Sequence, residues 1–243
     1  MKNKIIGPRV LLFDVETTPN LGYTWGKWEQ NVIKFVKEWE LLSFAYKWLD
    51  SSTVTCITRQ THSEKELCVV LRNLINSADV VIAHNGDQFD LKKSRTKFLQ
   101  HGLKPPAVNT SVDTKKIAKG QFAFNSNSLN DLGETLGLGK KVDTGGFDLW
   151  LGCMANKPAA WAKMSRYNKQ DVVLLEKVYK KLRSWAPNHP SLAALSNKIG
   201  CPVCASDRVT GNGVRATTKT LQQRWRCQDC GHSYTGGKPK NKR

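Results

Sequence analysis

Asp14 and Glu16 follow directly on the apolar run Val10–Phe13 in "RVLLFDVETTPN" (9–20). A short apolar run bounded by turn residues reads as a buried central strand, and alternation then points residues 14 and 16 to one face. Like charges that close need something positive beside them, a metal ion or a basic group, unless they mark only a solvated strand end. A third acid, Asp90, ends "AHNGDQFD" (83–90), a stretch that leaves a strand and enters a helix. In "YNKQD" (167–171), Tyr167 and Asp171 stand four positions apart inside a long helical segment, a rise of about 6 Å that keeps both on one face. Asp113, in "SVDTKK", is a weaker candidate. Taken singly, each acid is more often a helix cap or a surface charge.

These residues need elements to carry them. "ELLSFAYKWLD" and "STVTCIT" read as strands joined at Asp50–Ser52, making an antiparallel meander with the opening strand. "SEKELCVVLRNLINS" has apolar residues at helical spacing behind a Ser63 cap with Glu66 three positions on, the capping-box pattern. "ADVVIAHN" is a further strand, followed by a helix from about residue 88 to 100. After a strand or turn at "AVNTSVD", "NSLNDLGETLGLG" is a capped helix ended by glycine. The last long periodic segment spans 158–185. A meander followed by alternating strands and helices predicts an α/β domain whose mixed sheet is covered on both faces.

The 243 residues, with 40% hydrophobic and 24% charged, suffice for one medium domain and a small one. No stretch approaches the roughly 18 uninterrupted apolar residues of a membrane span, and the first residues lack a signal-like core. A cytoplasmic protein without a membrane partner is expected. The formal charge of +18 favours a polyanion, nucleic acid above others, over a merely solvated surface.

Pro187 and Pro190 mark a composition break, which sets expected boundaries of 1–185 for the main domain and 186–200 for a linker. Residues 201–243 hold nine Lys/Arg and two Asp/Glu, a formal +7, leaving 29 against 18, or +11, for the first 200. The final "GGKPKNKR" (236–243) is expected to be a disordered basic tail.

Cys56, Cys68 and Cys153 lie among apolar neighbours, as small core residues do. Cys201, Cys204, Cys227 and Cys230 form two CxxC pairs separated by 22 residues, suited to one tetrahedral structural zinc at 201–235. Too small to fold on its own core, such a module gains roughly 10 kcal/mol or more from zinc. His232 is a bystander to a complete ligand set. Arg208, Arg215, Lys219, Arg224, Trp225 and Arg226 mix charge with an aromatic ring, a blend suited to phosphate contact and base stacking. The module resembles zinc ribbons of transposase-associated proteins, and a protein partner is the alternative ligand.

In order, "DVETTP", "HNGDQFD" and "YNKQD" resemble the three motifs of the DEDD superfamily of 3′→5′ exonucleases, in the subfamily whose third motif carries tyrosine. The resemblance spans roughly residues 9–185 and implies the ribonuclease H-like fold. By it, Asp14, Glu16, Asp90 and Asp171 bind two magnesium or manganese ions, and Tyr167 lies over the attacking water. At 5 Å and an effective dielectric of 20, each pair of ionised acids repels by about 3 kcal/mol, so the four acids demand cations. A phenol with a pKa near 10 is a poor base at neutral pH and orients water instead. The resemblance places Thr17 and Thr18 beside the terminal nucleotide and gives Asn85 to the substrate strand or to the motif itself. Phe89 is expected in the core, and His84 as a structural residue. "KKVDTGGFDLWLGCMANKPAAW" (140–161), with Asp143 and Asp148, departs from the family and reads either as a loop over the site or as a packing insertion.

The function implied is a metal-dependent exonuclease releasing nucleoside monophosphates from DNA, with RNA possible. Alternatives are a structure-selective endonuclease on the same fold and a non-catalytic nucleic-acid-binding protein. The latter would lack an acid, and none is missing.

Overall fold

The computed structural model describes residues 7–28 and 31–236; the tail expected at 236–243 lies outside them beyond Gly236. Strand β1 (Val10–Thr17) opens the chain, and a short ribbon, β2 (Leu21–Tyr23) with β3 (Lys34–Lys37), projects from its end. There follow β4 (Leu41–Trp48), β5 (Thr55–Thr58), α1 (Glu64–Asn76), β6 (Val80–Ala83), α2 (Asp90–Gln100) and β7 (Thr110–Asp113). Helices α3 (Thr114–Gln121), α4 (Leu129–Thr135), α5 (Asp148–Met154) and the long α6 (Pro158–Leu182) complete the main body. A 3₁₀ turn (Arg183–Trp185) and α7 (Leu192–Leu195) lead to β8 (Val209–Ala216), β9 (Leu221–Cys227) and β10 (Ser233–Thr235).

The main sheet has the order β5-β4-β1-β6-β7. β1, β4 and β5 form the expected antiparallel meander, while β6 and β7 run parallel to β1. Alternation along β1 divides the core. Leu11, Phe13 and Val15 pack with Leu67 and Leu71 of α1 and Leu91 of α2. Val10 and Leu12 pack on the other face with Val172, Leu175 and Tyr179 of α6. Burying each such side chain contributes roughly 1.5–3 kcal/mol. Asp14 and Glu16 continue the even-numbered series, so the pleat that buries Leu12 under α6 also aims both acids at that helix.

Local chemistry sets the helix ends. Ser63 and Glu66 close the expected capping box on α1, and Ser128 caps α4. Gly133 lets α4 approach α6, since a β-carbon there would lie 2.5 Å from Gly139 O and 3.0 Å from Leu174. The sequence reading did not anticipate α3, α5 or the β2–β3 ribbon, all too short for a clear period. The linker expected at 186–200 contains α7, which buries Leu192 and Ala193 and adds Leu192 to the core under α6. Among the described residues, no helix is long and apolar enough to cross a membrane.

Candidate active site

Asp14 and Glu16 on β1 and Asp171 on α6 place oxygens within 4.8 Å of one another. Asp90 enters from α2, where its Oδ1 accepts a hydrogen bond of 2.9 Å from the amide of Val15, between the two acids of β1. Asp90 and Asp171 are buried, whereas Asp14 and Glu16 remain partly exposed, which leaves the cluster one open side. Distant segments meet here because α6 crosses the face of β1 that carries the even-numbered residues.

The electrostatics follow from this crowding. Burial, then repulsion from Asp90, Glu16 and Asp171, holds the Asp14 carboxyl well above the ordinary range. Burial and the charge of Asp171 push Glu16 up to about 8. Asp90 rises to about 7 through burial, against the Val15 amide that stabilises its ionised form. Asp171 is also raised by burial, although Lys141 opposes the shift. Tyr167 is driven far upward by burial and by Glu16 and Asp171, so its phenol stays neutral at physiological pH.

Two residues of the site escaped the sequence reading. Lys141 Nζ lies 2.6 Å from Asp171 Oδ2 and donates a 3.0 Å hydrogen bond to the Tyr167 hydroxyl. Burial disfavours its charge, but Asp171, Asp14 and Glu16 outweigh that and raise its pKa. Asn168, fully buried, donates to Asp14 Oδ2 at 2.7 Å and accepts from the Ser43 hydroxyl at 3.1 Å. Asn168 lies three positions before Asp171, on the same helix face, which was the available signal. For Lys141 the sequence held none beyond a glycine-flanked basic pair.

The remaining candidates divide. Asp113 stays out of the cluster: it caps α3 through Lys115 N and Lys116 N and accepts from the amide of Asn85 at 2.9 Å. Asn85 holds φ +66° at the turn into α2, the left-handed conformation that asparagine tolerates, so it shapes the motif itself. Gly86 follows because a β-carbon there would collide with Ala83 Cβ. Thr17 sits half-buried at a bulge in β1. Thr18 is buried, its hydroxyl accepting from Glu40 N at 2.8 Å, which ties the end of β1 to the start of β4. His84 is structural: Nε2 donates to Asn127 O, Nδ1 accepts from the Thr114 hydroxyl, and burial lowers its pKa to about 4. Phe89 is not in the core. With Asp90 and Leu91 turned inward at the start of α2, the preceding residue faces outward, 37% exposed.

Segment 140–161 turns out to serve both readings. Leu149, Cys153 and Trp161 pack with Leu42, Met164 and Tyr167, while Lys141 reaches the acids. Trp161 is buried, Trp150 lies edge-on to Tyr167 at 6.1 Å, and Asp143 and Asp148 are exposed.

The four cysteines of the CxxC pairs gather at one point, with Sγ separations of 3.6 Å for Cys201–Cys230 and for Cys204–Cys227. A tetrahedron with 2.3 Å zinc–sulfur bonds has edges of about 3.8 Å, so the set fits a closed zinc site. His232 lies outside it and fixes the module to the body, Nδ1 donating to Ser184 O at 2.7 Å. On β9, Arg224 and Arg226 share one face and Trp225 takes the other, half-buried with its indole donating to Gly236 O. Arg215 and Lys219 are exposed on β8 and the following turn.

The carboxylates fit divalent cations on the same kind of test. They offer oxygen donors only, they crowd beyond what one ammonium can neutralise, and the buried oxygens of Asp171 accept no aligned hydrogen bond, Lys141 approaching Oδ2 at too poor an angle.

This sheet, with its acids on the central strand and on α6, belongs to a class already defined among known proteins. The RNase_H_2 model of the RNase_H superfamily matches residues 11–183, and the chain is a member of that superfamily. Its mixed sheet flanked by helices is ribonuclease H-like, with a cluster of four cysteines toward the C-terminus. No curated protein matches the sequence. The family B DNA polymerase from the hyperthermophilic archaeon Pyrobaculum calidifontis is similar in fold, with a TM-score of 0.58 and 17% identity. That match covers 84% of this chain and 27% of the polymerase, so the chain spans about a quarter of its neighbour's length.

Proposed function

We propose that the protein is a metal-dependent 3′→5′ exonuclease of the tyrosine branch of the DEDD superfamily, acting on DNA, with RNA a possible substrate. The observation that carries the reading is the convergence of Asp14, Glu16 and Asp171 within 4.8 Å, with Asp90 tied to the strand between the first two. Membership of the RNase_H superfamily and likeness in fold to a DNA polymerase support nucleic acid as substrate.

Asp14, Glu16, Asp90 and Asp171 would hold two ions of the magnesium or manganese class. When bound, these supply the positive charge that lets the acids ionise together, acidify water and steady the leaving oxygen. Asn168 fixes the carboxyl of Asp14 in one rotamer. Tyr167, whose phenol burial keeps protonated at neutral pH, orients the attacking water by hydrogen bonding and does not remove its proton. Lys141 donates to the phenol oxygen, which leaves the phenol's own hydrogen free to point into the site. Water oxygen bonds to phosphorus as the bond to the neighbouring sugar's 3′ oxygen breaks. A nucleoside 5′-monophosphate leaves, and the shortened strand retains a 3′ hydroxyl. Cys201, Cys204, Cys227 and Cys230 would hold one structural zinc in a ribbon at 201–235, joined to the body through 186–200.

The experiment is digestion of 5′-labelled DNA and RNA oligomers with magnesium or manganese, beside Asp14→Ala and Asp171→Ala. A ladder shortening from the 3′ end, lost in both variants, is the expected outcome. A circular single strand should survive; its cleavage would replace the exonuclease with an endonuclease on the same fold.

A further inference from the structure

A second site lies where the cysteine module meets the end of α6. There a cleft of about 880 Å³ is lined by Trp185 and His189 from the body and by Arg215, Arg224 and Arg226 from β8 and β9. Among the described residues, no aspartate or glutamate lines it. The arginines in ion pairs among the described residues are Arg59, with Glu40, and Arg208, with Asp229. Among the described residues, the three exposed guanidinium groups of the cleft thus pair with no carboxylate. Gathering like charges in this way is unfavourable unless a polyanion relieves it.

The cleft also offers a ring. Trp185 is 59% exposed, yet its orientation is set by an edge contact with Phe122 at 5.4 Å. Such a ring is a ready stacking platform for a base. The two walls are held together by His232 Nδ1 donating to Ser184 O and by Leu192 N donating to Pro202 O, each at 2.7 Å.

We propose that this cleft is a second nucleic-acid subsite, taking the phosphates of a single strand upstream of the end held at the carboxylates and stacking one base on Trp185. The proposal rests on the nuclease reading above and extends it to strand placement. Trp185 stands 14 residues beyond Asp171, across the end of α6 and the 3₁₀ turn, a rise of about 22 Å. A strand stacked at 3.4 Å per nucleotide covers that distance in about six nucleotides. The subsite consequently acts on long strands and is out of reach of the shortest ones.

The test uses the full-length protein and two oligomers, dT3 and dT20. In an Asp171→Ala background, fluorescence anisotropy measures binding of labelled dT20 as salt is varied. Combining Arg215→Ala, Arg224→Ala and Arg226→Ala should weaken binding by about tenfold or more and reduce the salt slope by about 2, near 0.7 for each phosphate no longer neutralised. The triple lysine variant should keep the slope, which excludes a folding defect. Trp185→Ala should lower dT20 affinity about tenfold without changing the slope. With the native acids, cleavage of dT3 should keep its kcat/KM in the triple alanine variant. Unchanged dT20 binding in that variant, or an equal loss on dT3, overturns the subsite. Wild-type affinity in Trp185→Ala overturns the stacking assignment. Arginine-dependent binding by a protein that releases no mononucleotide would sink the nuclease reading and leave the subsite standing.

Discussion

The Lys141 ammonium lies 2.6 Å from Asp171 Oδ2 and, from the same atom, donates to the Tyr167 hydroxyl at 3.0 Å. One cation thus bridges the two side chains that α6 presents four residues apart, one an acid that needs a counter-charge and the other a phenol that needs a direction. Replacing Lys141 with methionine keeps the aliphatic stem and removes the donor. Activity should fall by about 10²-fold, the scale of losing one oriented donor in a water-poor site, with little change in KM. Steady-state kinetics on a 5′-labelled oligomer checks this; a change confined to KM would place Lys141 in substrate binding instead.

Asn168 holds Asp14 from behind. Asn168→Ala should raise the magnesium concentration for half-maximal activity by about 10- to 100-fold, as expected when a partner that orients a ligand is removed, and excess metal should restore much of the rate. Metal titration of both proteins at fixed substrate is the measurement. Loss of activity that no metal concentration recovers would show that the residue acts only on folding.

The raised carboxyls make stability depend on pH when magnesium and manganese are withheld. Glu16 is pushed to about 8 and Asp90 to about 7, above the values near 4 of an unfolded chain. Between those limits the two acids bind more protons in the folded protein than in the unfolded one, so the stability they contribute is greatest at low pH and declines as pH rises through 4 to 8, while the buried His84 and His189, lowered to about 4, act in the opposite sense below about pH 6.5. Thermal unfolding should show Tm falling from pH 6.5 to pH 8, above the range in which the two histidines oppose the trend. Added magnesium should raise it most at the upper end, where the acids ionise. Asp90→Asn should flatten the metal-free profile, and a profile of the opposite slope would contradict the assignment.

The cysteine cluster predicts one zinc per chain, released by a thiol-directed mercurial. Because its core is confined to Cys201, Val203 and Cys227 with a few partly buried neighbours, Cys204→Ser should leave residues 201–236 open to limited proteolysis while the rest of the chain resists. Mass spectrometry of the fragments reads the outcome directly. Protection equal to that of the parent would mean that the module folds without metal.

Much of the fold was legible because it is written in neighbours. The apolar run before Asp14, the Ser63–Glu66 box and the 3.6-residue period of α6 each concern residues within a turn or a strand of one another. The same is true of the CxxC pairs, whose spacing brings two sulfurs together whatever surrounds them. Phe89 failed because hydrophobicity was weighed without its place relative to Asp90, which turns inward and sends its predecessor out. Trp225 and its flanking arginines were grouped by adjacency, whereas strand alternation separates them.

By itself the sequence determined the order of the main-sheet strands and the longer helices, the acids available for metal and the residues able to hold zinc, since local spacing dictates those. Tertiary structure alone decided that Lys141 closes on Asp171, that Asn168 braces Asp14 from 154 positions away, and that Asp113 braces a turn instead of joining the acids. It also set three arginines and Trp185 around one cleft. Each of these depends on which face of the sheet α6 covers and where the module docks against its end. Those outcomes come from burying apolar surface over the whole chain, and no short window of residues contains them.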